Sequence, residues 1–355
     1  VLGYTVEGFK EKDNGVEVLL KDNPSLQADM VVLAIGVTPD TVLAKEAGLE
    51  LGIKESIVVN DRMETSVPDI YAAGDAVQVK HYVTGNDALI SLAGPTNKKG
   101  RIIADNICGG DSRYLGSQGS SVIKVFDMTA ATTGINETNA QKSGLEVDTV
   151  ILSPMSHAGY YPGGKVMTMK VVFEKETYRL LGAQIIGYEG VDKRIDVLAT
   201  AIHAGLNATQ LKDLDLAYAP PYSSAKDPVN MAGFMIDNIA KGTLKQWHLE
   251  DMDKISKDKD VVLLDVRTVG EFSRGHIDGF KNIPVDELRE RISEIEKGKP
   301  VYLICQSGLR SYIASRILEG NGYETYNFSG GFRFYDAVVN DRALIERAYA
   351  CGMDY

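Results

Sequence analysis

Apolar residues in the first part of the chain form continuous runs of strand length. One run covers residues 29–36 and ends at Gly36, and a second covers residues 70–73 and is followed by Gly74. Continuous apolar runs are typical of strands that are buried on both faces of an α/β sheet. We therefore predict two buried strands in this region, each with a glycine at its carboxyl end.

The middle of the chain changes to a series of strand patterns that are followed by helical ones. Strands are predicted at 121–126, 148–152, 166–173 and 180–187, and helices at 191–205 and 228–240. This succession of elements is typical of an α+β domain. We place that domain at residues 116–240.

Strand and helix patterns alternate again toward the C-terminus, which predicts an α/β domain. The apolar runs at 261–264 and 299–304 read as strands, and the apolar spacing at 312–318 predicts a helix. The chain therefore turns sharply from a strand into a helix at residues 305–311.

Charge and cysteine content narrow the possible partners. The 355 residues carry a formal net charge of -11, which argues against nucleic acid or an anionic membrane surface as a main partner. No apolar run approaches the roughly 20 residues of a membrane-spanning helix. Three widely spaced cysteines, Cys108, Cys305 and Cys351, predict neither a disulfide framework nor a metal site and favour a reducing cytoplasm.

Cys305 lies on the turn between the last predicted strand and helix. A cysteine in this position faces backbone N–H groups and the positive end of the helix dipole. Arg310 adds a positive charge, and both effects favour the reactive thiolate. We predict that Cys305 is a nucleophile assisted by Arg310; the alternative is a buried structural cysteine at a strand end.

The motifs around Cys305 resemble those of the rhodanese family of sulfurtransferases over about residues 250–345. They are Asp265-Val266-Arg267, Glu271-Phe272, Gly275-His276-Ile277, Asn282-Ile283-Pro284 and Gly330-Gly331-Phe332. The resemblance implies that Cys305 accepts a sulfane sulfur as a persulfide and passes it to a thiol. Cysteine phosphatases are the competing class, but their cradle has five residues between Cys and Arg, whereas four separate Cys305 from Arg310 here.

Two motifs in the first region together resemble the pyridine nucleotide-disulfide reductase family. They are the segments 32–39 and 65–75. In that family the first motif closes the NAD domain and the second binds FAD. The resemblance implies a flavin site in which Asp75 binds the ribityl chain or pyrophosphate. The predicted site residues are Thr65, Ile70, Ala73, Gly74 and Asp75.

The same resemblance implies that a helix begins near residue 92 and points at the isoalloxazine ring. It assigns Ala93 and Pro95 to the flavin, and Asn97 and Lys98 to the substrate. The alternative for this basic segment is a solvated helix start.

Residues 116–240 match the dimerisation domain of these reductases, although the His–Glu acid/base pair of many members is absent. The rhodanese-like region and Tyr218 narrow the resemblance to the coenzyme A-disulfide reductase group, including members that reduce persulfides. The resemblance implies that Tyr218 and Tyr160 donate a proton to a leaving thiolate, with Tyr218 also at the flavin, and that Lys226 binds a coenzyme A phosphate. The alternative is rigid packing of the tyrosines against prolines.

The predicted architecture is a multidomain α/β and α+β protein with a partial FAD/NAD(P)-binding fold. Its parts are a remnant of the NAD(P)-binding domain at 1–37, the C-terminal part of the FAD-binding domain at 38–115, the dimerisation domain at 116–240, a linker at 241–249 and the rhodanese domain at 250–355. The chain begins at Val1 inside a strand pattern and lacks the family's glycine-rich fingerprints and redox cysteine. We expect it to be a piece of a longer protein, without a complete flavin site of its own.

The implied function is reduction of coenzyme A disulfide, persulfide or polysulfide with FAD and NAD(P)H, coupled to sulfur transfer at Cys305. The implied setting is a cytoplasmic homodimer that handles low-molecular-weight thiols, disulfides and persulfides. Two alternatives remain at this point. One is a non-redox dimeric sulfur-carrier module, and the other is a flavoenzyme that resembles NADH oxidase.

Overall fold

The computed structural model describes the backbone of residues 3–350 and the side chains of residues 3–340. Cys351 lies outside this part. Within this part, residues 41–339 form one compact unit, and residues 3–40 with 340–350 form another. No helix in the part of the chain that the structure describes is long and apolar enough to cross a membrane.

The first unit contains a three-stranded antiparallel sheet in the order β1-β2-β3. Its strands are β1 (Val6–Lys12), β2 (Gly15–Leu20) and β3 (Asn23–Ala28). Gly15 follows the first turn with φ +133°, and a Cβ there would lie 2.5 Å from the carbonyl oxygen of Ala28. This turn therefore requires glycine.

The prediction of a buried strand at residues 29–36 is wrong. The segment has no strand partner within residues 3–350, and Val32 and Ile35 are 77% and 89% exposed. A doubly buried strand needs neighbours that satisfy its N–H and C=O groups and cover both faces. Because none of the described strands lies beside this segment in its unit, the apolar run stays extended and irregular.

The segment from residue 41 to about 117 is mostly irregular and is held by short elements. They are α1 (Val42–Glu46), β4 (Val79–Lys80), β5 (Asp87–Ala88) and α2 (Ala93–Ile107). The start of α2 at Ala93 agrees with the sequence. The buried strand predicted at 70–73 is wrong: Tyr71 makes a single bridge to Glu64, and Ile70 is 38% exposed. The apolar run has only this one pairing partner.

Residues 121–240 form the predicted α+β fold. The sheet is antiparallel in the order β6-β7-β10-β9-β8. Its elements are β6 (Ser121–Val125), β7 (Met128–Gly134), α3 (Glu137–Lys142), β8 (Val147–Leu152), β9 (Met167–Glu174), β10 (Leu180–Gly187), α4 (Val191–His203) and α5 (Pro228–Ala240). All four predicted strands and both predicted helices are present. Strand β7 was missed because its Met-Thr-Ala-Ala-Thr-Thr-Gly sequence has little apolar contrast.

The core of this domain lies between the sheet and its helices. Met169 and Phe173 of β9, Leu198 of α4 and Ile236 of α5 are all fully buried in one cluster. Burial of each such side chain stabilises the fold by roughly 1.5–3 kcal/mol. This packing fixes α4 and α5, which carry residues of the site described below.

The C-terminal region is a parallel α/β domain with sheet order β11-β15-β14-β12-β13. Its elements are β11 (Gln246–Trp247), α6 (Met252–Ile255), β12 (Val262–Asp265), α7 (Val269–Arg274), β13 (Lys281–Asn282), β14 (Val301–Ile304), α8 (Leu309–Glu319), β15 (Thr325–Phe328) and α9 (Gly331–Ala350). Leu303 and Ile304 of β14 belong to two different buried clusters. Both faces of the sheet are therefore covered, as the α/β class requires.

The segment predicted as a linker is part of this domain. Gln246 and Trp247 pair in parallel with β15, and Trp247 is 2% exposed with its ring 4.5 Å from that of Phe328. A free spacer would leave such a large aromatic side chain in water. Residues 246–247 are therefore an edge strand and not a tether.

Side chains of the C-terminal domain cover the exposed edge of β8. Ser329 Oγ accepts a hydrogen bond from the Ile151 N–H at 3.1 Å, and Gln246 Nε2 donates to the Thr149 carbonyl at 2.7 Å. An edge strand with unpaired backbone groups is prone to wrong pairing. These contacts satisfy the edge and fix the two domains to each other.

An Asp–His contact supports the same junction. Asp148 Oδ1 lies 3.2 Å from His248 Nε2 and 3.1 Å from Gln246 Nε2. Burial opposes the charge of Asp148, but hydrogen bonds from His248, from the Thr149 N–H and from Gln246 outweigh it and lower the pKa of Asp148. The carboxylate therefore stays ionised at this junction.

Candidate active site

The turn after β14 places the Cys305 sulfur at the start of α8. Cys305 is 1% exposed, and its Sγ accepts hydrogen bonds from the Gly308 N–H at 3.1 Å and the Ser311 hydroxyl at 3.2 Å. Gly308 has φ +99°, which lets the backbone turn its N–H toward the sulfur. Hydrogen bonds and the helix dipole favour a negatively charged sulfur at this position.

The start of α9 supports this loop from behind. The Phe332 N–H donates to the Cys305 carbonyl at 2.8 Å. Gly331 has φ +68°, and a Cβ on it would lie 2.7 Å from the Ser307 nitrogen. Asn327 Nδ2 also donates to the Gly308 carbonyl at 3.1 Å. The loop is therefore held by backbone contacts that only glycine permits at position 331.

A buried ion pair lies beneath the loop. Arg267 and Asp265 are both almost fully buried, with Arg267 Nη2 2.7 Å from Asp265 Oδ2. The Arg267 guanidinium stacks on the ring of Phe332 at 3.8 Å and donates to the Gly275 carbonyl at 2.8 Å. Such a pair adds little net stability, but it fixes the positions of the groups around it.

Arg310 is bound by Glu271, a residue of a rhodanese motif whose pairing with Arg310 the sequence did not indicate. Its two Nη atoms donate to the two oxygens of Glu271, each at 2.7 Å. These hydrogen bonds outweigh the effect of burial and lower the pKa of Glu271 to about 2. The positive charge expected from Arg310 is therefore balanced by a neighbouring negative charge.

A second constellation brings together the two tyrosines selected from the sequence. The hydroxyl oxygens of Tyr160 and Tyr218 are 2.7 Å apart, and the side chains are 76% and 46% exposed. The hydrogen bond with Tyr160 raises the pKa of Tyr218. Lys226, the predicted phosphate ligand, is exposed.

A buried arginine that sequence reasoning missed holds the loop around Tyr218. Arg194 is 1% exposed and donates to Asp227 Oδ2 at 3.0 Å, to Ser223 Oγ at 3.1 Å and to the Ser156 carbonyl at 2.9 Å. Asp227 also caps α5 by accepting from the Val229 N–H at 3.0 Å. The Asp227-Pro228 pair at a helix start was the one available signal.

A cavity of about 520 Å³ opens beside these residues. Tyr218, Tyr222, His157 and Lys193 line it together with the Arg194 side chain. Lys193 Nζ donates to the Ala217 carbonyl at 3.4 Å, which brings its charge to the base of the Tyr218 loop. The cavity presents hydroxyl and ammonium groups to a small ligand.

Gly74 and the start of α2 form the candidate flavin half-site. Gly74 has φ +98°, and a Cβ on Gly74 or Gly94 would meet nothing within 4 Å. The buried Lys99 Nζ donates to the Gly74 carbonyl at 2.8 Å, while Asp75 is exposed. Burial lowers the pKa of Lys99, and the charge of Asp75 opposes that effect. An open backbone, a carboxylate and a helix N-terminus fit one side of a polyol diphosphate.

The other residues predicted for this half-site have local partners or are exposed. Asn97 Nδ2 donates to the Ala93 carbonyl of its own helix at 2.9 Å, and Thr65 Oγ1 bonds the backbone of Val67. Lys98 is exposed and lines a second cavity of about 920 Å³ with Pro95. Among Thr65, Asn97 and Lys98, it is therefore Lys98 whose charged side chain faces a cavity.

Three segments of the chain match known protein families. Residues 1–91 match the family described as pyridine nucleotide-disulphide oxidoreductase. Residues 120–228 match the dimerisation domain of that family, and residues 248–337 match the rhodanese-like domain. The three matches follow one another in the order that the sequence resemblances predicted.

Individual relatives are similar to different shares of this chain. A protein of Pyrococcus furiosus named NAD(P)H sulfur oxidoreductase (CoA-dependent) is 39% identical over 60% of this chain and 48% of its own length. The crystal structure of reduced Bacillus anthracis CoADR-RHD is 46% identical with a TM-score of 0.91, over 96% of this chain and 60% of that one. The structure of a NAD-dependent persulfide reductase from A. fulgidus is 39% identical with a TM-score of 0.85. The match covers 94% of this chain and 61% of that one.

The chain spans about half the length of the curated relatives it matches. Within that span it carries parts of the oxidoreductase fold, its dimerisation domain and a rhodanese-like domain. Residues 1–91 and 120–228 therefore belong to the pyridine nucleotide-disulphide oxidoreductase family and its dimerisation domain, and a rhodanese-like domain follows them at residues 248–337.

Proposed function

We propose that this chain belongs to an enzyme that reduces coenzyme A persulfide, polysulfide or disulfide, with sulfur transfer at Cys305. One observation carries the proposal: Cys305 Sγ receives hydrogen bonds from a backbone N–H and a hydroxyl at the start of α8. The names of relatives, which include a persulfide reductase, point the same way. Substrates of the disulfide and persulfide classes both expose a sulfur that a thiolate can attack.

The sulfur step is a nucleophilic exchange. The Cys305 thiolate attacks the outer sulfur of a persulfide R–S–SH and forms a new S–S bond. The bond between the two donor sulfurs breaks, its electron pair leaves with R–S⁻, and Cys305 carries the persulfide. The Gly308 N–H and the Ser311 hydroxyl stabilise the attacking sulfur before the exchange. A second thiolate then takes the outer sulfur by the same kind of exchange.

The tyrosine pair supplies the proton for a leaving thiolate. Tyr218 is neutral at pH 7 because the ordinary pKa of tyrosine is about 10 and the hydrogen bond with Tyr160 raises it further, so it can donate its hydroxyl proton. Tyr160, 2.7 Å away, can replace that proton without movement of the backbone. Lys226 is the proposed ligand of a coenzyme A phosphate, where a point charge is sufficient.

FAD is the cofactor that this family uses, and in this chain we assign its ligands to the half-site at Gly74. The residues that would hold it are Thr65, Ile70, Ala73, Gly74, Asp75, Ala93 and Pro95, with Tyr218 near the ring and Asn97 and Lys98 toward the substrate. When bound, FAD supplies two-electron transfer from NAD(P)H to a disulfide or persulfide. The role of this chain would be to orient the flavin against the uncovered backbone at Gly74.

We assign the domains as predicted, except that residues 246–247 belong to the rhodanese domain, and we propose residues 116–240 as a two-fold dimer interface. Exposed apolar side chains on the β6–β7 turn, β10 and α5 support this assignment. They are Val122, Ile123, Val125, Phe126, Met128, Ile186 and Phe234. An apolar surface of this kind is typical of a contact between subunits. The proposed setting is the cytoplasm, because a thiol that carries sulfur must be kept reduced.

Transfer of sulfur from an alkyl persulfide to cyanide tests the proposal directly. We expect thiocyanate to form with the 355-residue chain and with Cys108→Ser, a control at an exposed cysteine. Cys305→Ser should reduce the rate to that of the uncatalysed reaction. Equal rates for Cys305→Ser and the parent chain would reject Cys305 as the sulfur carrier.

A further inference from the structure

Arg310 is the single cation in the loop of residues 305–311, and Glu271 balances its positive charge. The intervening residues Gln306, Ser307, Gly308 and Leu309 carry no charge. Both Nη atoms of Arg310 are committed to Glu271 at 2.7 Å. The guanidinium therefore uses its end-on pair of donors for Glu271, and the carboxylate balances its charge there.

Glu271 is itself held in place by its own helix. The Thr268 N–H and hydroxyl both donate to Glu271 Oε2, at 3.0 and 2.8 Å, in a capping box at the start of α7. The carboxylate therefore contacts Arg310 and the helix cap at the same time. Releasing Arg310 would require breaking two charge-assisted hydrogen bonds.

Arg267, the arginine beneath the loop, is also paired. Arg267 binds Asp265 at 2.7 Å and is 1% exposed, so it offers no charge to a donor in solution. Leu309, by contrast, is 66% exposed directly after Gly308. An exposed apolar side chain thus follows the turn, and the charges of Arg310 and Arg267 are balanced by Glu271 and Asp265.

We propose that Glu271 is a specificity-determining residue that neutralises Arg310 and makes Cys305 selective for persulfides on an uncharged carbon arm over inorganic dianions such as thiosulfate. This inference rests on the proposed sulfur transfer at Cys305. An alkyl persulfide carries charge only on its sulfur atoms, and its leaving group is R–S⁻. Thiosulfate brings two negative charges to the thiolate and leaves as sulfite, so it needs an unpaired cation beside the reacting sulfur.

Glu271→Gln tests the inference because it removes the charge and keeps the shape. Glutamine is accepted at this position of a capping box, so α7 should form as before. Glu294→Gln is the matched control, since Glu294 also binds an arginine through both oxygens, with Arg291 Nε and Nη2 at 2.6 and 3.0 Å. The rate of sulfur loading on Cys305 is measured by mass spectrometry with thiosulfate and with 2-hydroxyethyl persulfide.

We expect Glu271→Gln to raise the ratio of the thiosulfate rate to the persulfide rate about tenfold, through the newly unbalanced charge of Arg310. Glu294→Gln should leave the ratio at the parent value. An unchanged ratio in Glu271→Gln would overturn the inference. So would a parent chain whose thiosulfate rate rises when the ionic strength is lowered, since that reveals an unpaired cation without any substitution. Failure of both donors to load Cys305 would instead reject the proposed sulfur transfer.

Discussion

The hydroxyl oxygens of Tyr160 and Tyr218 lie 2.7 Å apart although 58 positions separate them in the chain. Tyr160 belongs to the loop before β9, and Tyr218 to the loop before α5. Arg194 binds the carbonyl of Ser156 on the first of these loops and Ser223 on the second. One buried guanidinium thus brings both loops, and with them both hydroxyls, to the same place.

Tyr160→Phe should change the titration of Tyr218. Because the hydrogen bond with Tyr160 raises the pKa of Tyr218, its removal should lower that pKa toward the ordinary value of 10.0. An NMR titration of ring-labelled tyrosine measures the change. Tyr188→Phe, an exposed tyrosine of the same domain, is the control and should have no effect. An unchanged Tyr218 in Tyr160→Phe would mean that the hydroxyls do not interact in solution.

Arg194→Met should strongly destabilise the domain that carries the tyrosines. The substitution leaves Asp227 buried without its partner, which costs about 3–5 kcal/mol. Adding Asp227→Asn removes the uncompensated charge, so the double variant should recover part of the loss. Chemical denaturation measures both. A single variant as stable as the parent would show that the buried pair does not organise these loops.

Sequence motifs were sufficient to predict the structure where residues close together in the chain determine it. The Cys305 turn lies between an adjacent strand and helix, and the strands at 121–187 follow their own apolar patterns. The run at 29–36 failed because burial of a strand depends on its neighbours, and none of the described strands pairs with it. Apolar pattern alone cannot tell a covered strand from an uncovered one.

Long-range partners explain what the sequence did not reveal about the sites. Glu271 lies 39 positions before Arg310, and Asp227 lies 33 positions after Arg194. Both partners are ordinary helix-start residues when read locally, and only the fold brings them to an arginine. The tyrosine pair was found because a family resemblance selected it, and its spacing in the chain gave no such signal.

The Arg310–Glu271 pair should make stability depend on pH in the acid range. The pKa of Glu271 is lowered from 4.5 to about 2 on folding, so its contribution is complete above about pH 4.5 and is lost as the pH falls toward 2. The contribution is modest, because the pair is partly exposed and solvent screens it. Denaturation of Glu271→Gln should therefore show a flatter pH dependence than the parent between these limits. Parallel curves for the two proteins would contradict the depressed pKa.

Ser329→Ala should loosen the contact between the rhodanese-like domain and β8. The substitution leaves the buried Ile151 N–H without its acceptor, at a cost of about 1–3 kcal/mol. Hydrogen exchange at Ile151 should accelerate, whereas Ser273→Ala, an exposed serine of the same domain, should not affect it. Unchanged protection of Ile151 in Ser329→Ala would indicate that other contacts hold the junction.

The central claim is that Cys305 is the thiol that accepts sulfane sulfur. The most direct measurement is peptide mass spectrometry of the chain after brief exposure to an alkyl persulfide, with all three cysteines, Cys108, Cys305 and Cys351, followed separately. The account predicts one added sulfur atom on Cys305 before either other cysteine reacts, and no comparable product in Cys305→Ser. Equal labelling of Cys108 and Cys305, or an unmodified Cys305, would contradict it.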